Sequence, residues 1–141
     1  MIQLIEKNRV YLVYVPLTLY WLLLFAATSI PGSDLPAMRL SDKLLHFGAF
    51  SVLGFLLDLT ARVQNKNTWI RKNNFVFSYV VILIYGALDE IHQYFIPGRS
   101  ADYMDWLADM VGALFGVLLL NLVLSIDQKL VLKIRSPDGK K

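Results

Sequence analysis

The sequence has no cysteine and few charged residues, and each shortage excludes a class of protein. The missing cysteine excludes a disulfide framework and thiol chemistry. Charged residues make up only 18% of the 141 residues, whereas about 25% is usual in a soluble domain. Hydrophobic residues make up 56%, and the mean hydropathy is +0.50. The composition therefore indicates a membrane protein, with the lipid bilayer as its first partner.

The signatures of nucleic-acid binding and metal binding are also missing. The formal net charge is only +3, and no basic stripe with interleaved aromatic residues is present, so nucleic acid is not an expected partner. The two histidines lie in no HExxH pattern and show no other ligand spacing. The sequence therefore predicts neither a metal nor a cofactor.

Four apolar segments are present, at residues 10–30, 42–60, 75–95 and 103–126. About 20 residues are needed to cross a bilayer as a helix. Pro16 lies inside the first segment and predicts a kink there. A cleaved signal peptide is the alternative for this segment, but its 21 uncharged residues exceed the ~7–15 of a signal-peptide core. The predicted fold class is all-α, a polytopic membrane protein with four transmembrane helices.

Lysine and arginine are divided unequally between the two sides of these segments. Eleven lie before the first segment, in the 61–74 loop or after residue 127, and only Arg39, Lys43 and Arg99 lie on the other side. The positive-inside rule therefore predicts cytoplasmic termini, in a multi-pass protein of the inner or plasma membrane. We expect one transmembrane domain over residues 1–127 and a basic cytoplasmic tail over 128–141, in which residues 136–139 are typical of disorder.

Charged residues gather where the second, third and fourth segments reach the outer face. The stretch 89–109 alone holds five of the eleven acidic residues. Residues three or four apart share a helix face, so His46 lies with Lys43, and Asp105 lies with Asp109. Charge at the rim of an apolar segment is costly to keep. These patches therefore predict a polar site between three helix ends.

The candidate ligand-binding residues all lie at these three helix ends. They are Lys43, His46, Asp89, Glu90, Gln93, Arg99 and Asp105. Glu90, His92 and Asp89 are the candidate catalytic residues, because carboxylates and imidazole act as general acids and bases. Arg99 suits a phosphate group, since its guanidinium offers paired donors.

Several of these acids also have an ordinary structural explanation. Asp102 is a predicted N-cap of the fourth helix, and Asp105 lies where a capping box places its acidic member. Asp89 and Glu90 lie near a helix C-terminus, where the helix dipole disfavours negative charge, so we expect them to need cations. An internal salt-bridge network and a ligand site are both open as explanations.

Small residues form a row on the fourth helix. Ala108, Gly112 and Gly116 recur at four-residue spacing, one step around the helix from Asp105 and Asp109. Such a row allows a second helix to approach closely. It predicts that the fourth helix is packed inside the bundle with its acids pointing inward.

A set of residues spread over the last three segments carries a family resemblance. The set is Lys43, His46, Phe47, Asp89, Glu90, Gln93, Pro97, Arg99, Asp102, Asp105, Gly112 and Gly116. With these residues the chain resembles the VanZ-like family of bacterial integral membrane proteins. The resemblance implies a four-helix membrane domain with an envelope-facing polar site and an association with teicoplanin resistance. That family often has Asn at the position of Asp109, so a required carboxylate there is not expected.

Three functions are open on the sequence alone. The first is non-enzymatic binding of a glycopeptide antibiotic, a lipid-linked cell-wall precursor or a partner protein at the outer face. The second is a membrane-embedded enzyme that acts on a lipid-linked phosphate or a peptidoglycan precursor. The third is a proton- or ion-coupled transporter, which is disfavoured because no charged residue beyond Asp58 continues a path through the inner half of the bundle.

Overall fold

The computed structural model describes residues 2–34 and 42–135, with side chains described for residues 5–33 and 42–128. Its helices are α1 (Ile2–Lys7), α2 (Val15–Thr28), α3 (Asp42–Val63), α4 (Thr68–Lys72), α5 (Asn74–Tyr94) and α6 (Tyr103–Arg135). These described residues contain no strand. The predicted all-α class is therefore confirmed.

Within residues 2–34 and 42–135, four helical segments are long and apolar enough to cross a membrane, as the sequence predicts. They are Val10–Thr28, Asp42–Val63, Asn74–Tyr94 and Tyr103–Gln128. Large apolar side chains on their outer surfaces, including Leu19, Ile84 and Leu118, are more than half exposed. Helices satisfy their backbone hydrogen bonds internally, so an apolar exterior of this kind suits lipid. The chain is a multi-pass membrane protein.

The first span begins with a π-helical turn, Val10–Tyr14, just ahead of Pro16. In this turn the N–H of Val15 donates to the carbonyl of Val10, five residues earlier. Proline has no N–H, and a wider turn accommodates the resulting break in the α-helical bonding pattern. Regular helix then continues as α2. The irregularity expected at Pro16 therefore takes the form of a π turn.

Helices α3 and α6 are in backbone contact along the predicted row of small residues. A Cβ on Gly116 would collide with the carbonyl oxygen of Ser51, and Gly112 lies equally close to the backbone of α3. On the α3 side, a Cβ on Gly54 would lie 2.5 Å from the carbonyl oxygen of Ala113. The close approach is therefore confirmed, and it places the polar residues of the two helices side by side.

The end of the first span lies beside the turn that follows α5. The N–H of Gly32 donates to the carbonyl of Pro97 over 2.9 Å. Gly98 has a φ of 74°, a left-handed conformation that glycine adopts without steric cost. The starts of α3 and α6 lie at this same end, because the N–H of Asp102 at the start of α6 donates to Glu90 near the end of α5, and Lys43 at the start of α3 contacts Asp102.

The segment between the second and third spans is more ordered than a polar loop. It contains α4, and the N-cap residue Asn67 accepts hydrogen bonds from the backbone N–H groups of Trp69 and Ile70. Asparagine is among the preferred N-cap residues. This short helix is not predicted from the sequence, in which residues 61–74 are treated as a loop.

The last helix extends beyond the limit predicted from hydropathy. It continues to Arg135 instead of ending near residue 126, because no proline or glycine interrupts the chain before Pro137. Part of the expected tail is therefore helical. The predicted disorder at residues 136–139 lies outside the described residues, as does the loop that contains Arg39.

Candidate functional site

The starts of α3 and α6 and the end of α5 bring charged side chains together at one end of the bundle. We call the following residues the polar cluster: Lys43, His46, Glu90, Asp102, Asp105 and Asp109. Four of them are at least nine-tenths buried: His46, Glu90, Asp105 and Asp109. The structure thus brings together four of the seven candidate ligand-binding residues, namely Lys43, His46, Glu90 and Asp105, and their role in binding stays a prediction.

Lys43 links α3 to the start of α6. Its Nζ lies 2.8 Å from Oδ2 of Asp102 and 2.9 Å from Oδ1 of Asp105. The hydrogen bond from Lys43, together with one from the N–H of Met104, lowers the pKa of the Asp102 carboxyl. The contribution of this carboxylate to stability is therefore present at neutral pH, and it is lost only as the pH falls through the lowered pKa. The Lys43 side chain is 49% exposed, so this pair forms the accessible rim of the cluster.

Asp102 is the N-cap of α6, as predicted, and its Oδ1 accepts a hydrogen bond from the N–H of Met104 at 2.9 Å. The predicted capping box is wrong, however. The N–H of Asp102 donates to Oε2 of Glu90 at 2.8 Å, and Asp105 is bound by Lys43. The carboxylate of Glu90 in α5 therefore accepts the hydrogen bond from the N–H of Asp102 that a capping box would direct to Asp105.

The partners of Asp89 and Glu90 differ from the expected cations. Glu90 lies at the N-terminal end of α6, where the helix dipole is positive. Oδ2 of Asp89 accepts a hydrogen bond from the side-chain amide of Gln93 at 3.0 Å. In the part of the chain that the structure describes, neither carboxylate forms an ion pair with Lys43, His46 or Arg99. Direct pairing of these acids with cations is therefore not what stabilises them.

Arg99 connects the turn after α5 to the first span. Two of its nitrogens donate to the backbone carbonyls of Ala27 and Ile30, each at 3.2 Å. Its Nη1 lies 3.5 Å from Oε1 of Gln93. Arg99 therefore reaches Asp89 only through the amide of Gln93, and it lies at the edge of the polar cluster.

His46 and Asp109 form the buried centre of the cluster. Nδ1 of His46 lies 2.9 Å from Oδ1 of Asp109, and the two residues are 8% and 1% exposed. Asp109 was not among the ligand-binding candidates. Its four-residue spacing from Asp105 on an inward face was the sequence signal that pointed to it.

His92 lies apart from the polar cluster. Its Nε2 is 3.0 Å from Oγ of Ser29, and its ring stacks on Phe25 with the ring centroids 5.0 Å apart. Two residues along a helix are separated by roughly 200° around the axis. His92 therefore contacts the first span while Glu90 points towards α6, and the two do not form an acid–base pair.

A second polar network lies at the opposite end of the bundle. Asp58 is fully buried, and its two oxygens accept hydrogen bonds from Nε of Arg62 and Nδ2 of Asn74, each at 2.7 Å. Arg62 also donates to Oδ1 of Asn121 at 2.8 Å. Arg62 and Asn121 line a cavity of about 420 Å³. The four-residue spacing of Asp58 and Arg62 places them on one face of α3, but sequence spacing does not connect them to Asn74 and Asn121, which lie on two other helices.

Among the residues that the structure describes, two groups of side chains have a geometry that could hold a cation. The ligand atoms of His46, Glu90 and Asp109 all lie within 4.8 Å of one another, and so do those of His46, Asp42 and Asp105. The first group is buried throughout, whereas Asp42 in the second is exposed. The predicted absence of a metal site rested on sequence spacing alone, which does not detect ligands on three separate helices.

Comparison with known proteins supports the sequence resemblance. The family model described as VanZ/LLP1 matches residues 3–124. Neither the curated proteins nor the solved structures contain a match to this chain. The matched residues include all four membrane-spanning segments nearly in full and the whole polar cluster.

Proposed function

We propose that this chain, which belongs to the VanZ/LLP1 family, binds the polar part of a cell-envelope molecule at the polar cluster. The expected ligand is a glycopeptide antibiotic such as teicoplanin or a lipid-linked cell-wall precursor. In this proposal the cluster faces the extracytoplasmic side, as the loop charges predict. The chain acts without catalysing a reaction.

The main support for this proposal is that the polar cluster has exposed side chains at its rim and buried side chains inside. At the rim, the side chains of Lys43 and Asp102 are 49% and 38% exposed. Below them lie the buried acids Asp105 and Asp109. A polar headgroup can exchange with the rim ion pair at the membrane surface, while its apolar part stays among the exposed apolar side chains of the helices.

Charge of both signs at this end suits such a ligand. Lys43 and Arg99 can contact phosphate or carboxylate oxygens, and the acids can accept hydrogen bonds from amide or sugar groups. The guanidinium of Arg99 is held by two backbone carbonyls, which fixes its position without neutralising its charge. Arg99 is therefore available to an anionic ligand group.

A tolerance assay tests the proposal. A teicoplanin-susceptible host that expresses the chain should show a higher minimum inhibitory concentration than the host alone, and Arg99→Ala together with Glu90→Gln should remove the increase. Lys66→Ala, an exposed position in the loop at the other end of the bundle, is the matched control and should keep it. Full tolerance in a double variant that inserts at wild-type levels would contradict the proposal.

A second candidate function is a membrane-embedded enzyme that acts on a lipid-linked phosphate or a peptidoglycan precursor. It is favoured by Glu90, whose Oε1 is buried and has no hydrogen-bond partner among the described residues. In this alternative Lys43 and Arg99 hold the phosphate, and Glu90 serves as general acid or base. Turnover of a lipid-linked precursor by the purified protein, lost in Glu90→Gln, would favour the enzyme. Binding without product would favour the first proposal.

A further inference from the structure

The centre of the polar cluster is a set of three buried side chains contributed by three helices. His46 from α3, Glu90 from α5 and Asp109 from α6 are 8%, 7% and 1% exposed. Their ligand atoms all lie within 4.8 Å of one another. Three ionisable groups this close together inside an apolar bundle require a neutralising partner.

Each carboxylate in this set has one bound oxygen and one free oxygen. Oε2 of Glu90 accepts the N–H of Asp102, and Oδ1 of Asp109 contacts His46. Oε1 of Glu90 and Oδ2 of Asp109 are buried without a hydrogen-bond partner in the described part of the chain. Buried polar atoms are nearly always satisfied in native proteins, so two free oxygens in one cluster point to a missing ligand.

The local charge indicates that this ligand is a cation. Asp89 and Asp105 add two more buried carboxylates around the set. Among the described residues Lys43 is the lysine that reaches this end of the bundle, and its Nζ is bound to Asp102 and Asp105. The acids outnumber the available positive groups, and a bound divalent ion offsets such an excess.

We propose that His46, Glu90 and Asp109 bind one divalent transition-metal ion, with Zn²⁺ as the probe of choice. An imidazole with carboxylates suits Zn²⁺ and its neighbours in the first transition series, whereas Mg²⁺ and Ca²⁺ prefer oxygen ligands alone. Three protein ligands leave a further coordination position open, as in catalytic zinc sites. The site shares Glu90 with the binding proposed above, but Zn²⁺ binding can be measured without an envelope molecule.

The set has to contract to hold a tetrahedral ion. Zn²⁺–ligand bonds of about 2.1 Å place neighbouring ligand atoms about 3.4 Å apart, and Nδ1 of His46 and Oδ1 of Asp109 are 2.9 Å apart. All ligand atoms of the set lie within 4.8 Å of one another, so binding calls for a contraction of at most about 1.4 Å.

The overlapping set of Asp42, His46 and Asp105 is the weaker candidate. Asp42 is exposed, and Oδ1 of Asp105 is already bound to the ammonium group of Lys43. A cation at Asp105 would be repelled by that ammonium group. This difference makes Asp105 a useful control.

The experiment is a Zn²⁺ titration of the full chain, purified in detergent and stripped with a chelator. Equilibrium dialysis with metal analysis should give one Zn²⁺ per chain, and the melting temperature should rise with Zn²⁺ concentration because the ion binds the folded state. Glu90→Gln and Asp109→Asn should each weaken binding at least tenfold. Asp105→Asn, which removes a nearby charge but no proposed ligand, should weaken binding less than either of these variants, and His92→Ala should leave the affinity within about twofold of the wild type.

The protein atoms that coordinate Zn²⁺ can also be identified in the wild type alone, so the test does not depend on the folding of a variant. X-ray absorption at the zinc edge should show one imidazole nitrogen and otherwise oxygen ligands. Two imidazoles or none would overturn the assignment, because His46 and His92 are the only histidines in the chain. Absence of stoichiometric Zn²⁺ in the folded wild type would overturn it too, as would loss of binding in Asp105→Asn with full binding in Glu90→Gln. None of these outcomes depends on whether an envelope molecule is bound.

Discussion

Nδ1 of His46 and Oδ1 of Asp109 lie 2.9 Å apart, 63 residues apart in sequence, and both side chains are at least nine-tenths buried. This contact joins α3 to α6 one turn inside the end of the bundle. It depends on the glycine contacts directly below it, because Gly112 allows the α6 backbone to reach α3. Close backbone packing and a buried polar contact therefore support each other at this end of the molecule.

The first prediction concerns this contact. Asp109→Ala should lower the free energy of unfolding by about 1–3 kcal/mol, because the imidazole of His46 is left buried without its partner. Asp109→Asn should lose less, since the amide oxygen can still accept a hydrogen bond. Thermal unfolding in detergent, followed by circular dichroism with a chelator present, measures both. An Ala variant that melts with the wild type would show that the contact contributes nothing to stability.

The second prediction concerns the interface between α3 and α6. Gly116→Ala should destabilise the protein by about 1–3 kcal/mol, because the new methyl group would overlap the carbonyl oxygen of Ser51 and force the helices apart. Gly48→Ala is the matched control. A Cβ at Gly48 would have no heavy atom within 4 Å, so this variant should be as stable as the wild type or slightly more stable. Equal melting temperatures for the two variants would contradict the packing described here.

The third prediction concerns the buried carboxylate at the opposite end. Asp58→Ala should cost about 1–3 kcal/mol, because it leaves the partly buried guanidinium of Arg62 and the side-chain amide of Asn74 without their acceptor. Asn65→Ala, at an exposed position in the neighbouring connection, should change stability by less than about 0.5 kcal/mol. Equilibrium unfolding of the two variants and the wild type in one detergent gives the comparison. A decrease of less than about 1 kcal/mol in the free energy of unfolding of Asp58→Ala would show that this network contributes little to stability.

The fourth prediction concerns orientation, and the absence of native cysteine makes it simple to measure. Ser100 and Asn65 are both exposed and lie at opposite ends of the bundle. In intact cells a membrane-impermeant maleimide should label Ser100→Cys and leave Asn65→Cys unlabelled until the membrane is permeabilised. The reverse pattern would place the polar cluster on the cytoplasmic side and would rule out the proposed envelope-facing site.

Some features of this protein are local, and the sequence alone determined them. Hydropathy and length define the four spans, because crossing a bilayer sets a minimum number of apolar residues. The four-residue recurrence of Gly112 and Gly116 identifies the face of α6 that meets another helix, because that face is fixed by helical periodicity. The N-cap at Asp102 follows equally from a preference within one turn of chain.

The choice of partner in the polar cluster was decided only by the tertiary structure. From the sequence we expected Glu90 to pair with a cation and Asp105 to complete a capping box. In the structure Glu90 instead accepts a hydrogen bond from the N–H of Asp102, and Lys43 pairs with Asp105. Several like charges lie within reach of each cation at this end. Which of them meet depends on the rotation and axial shift of each helix, and differences of about one ångström decide a hydrogen bond.

The same reason explains the residues that sequence analysis did not connect. Asp109 lies opposite His46 because α3 and α6 run parallel in backbone contact, whereas periodicity gives only the face of each helix and not the neighbour it meets. The contacts of Arg62 with Asn121 and of Asp58 with Asn74 arise in the same way at the other end. Sequence thus determined which surfaces of each helix are polar, small or apolar. Packing of the helices against one another determined which polar groups became partners and which oxygens remained free.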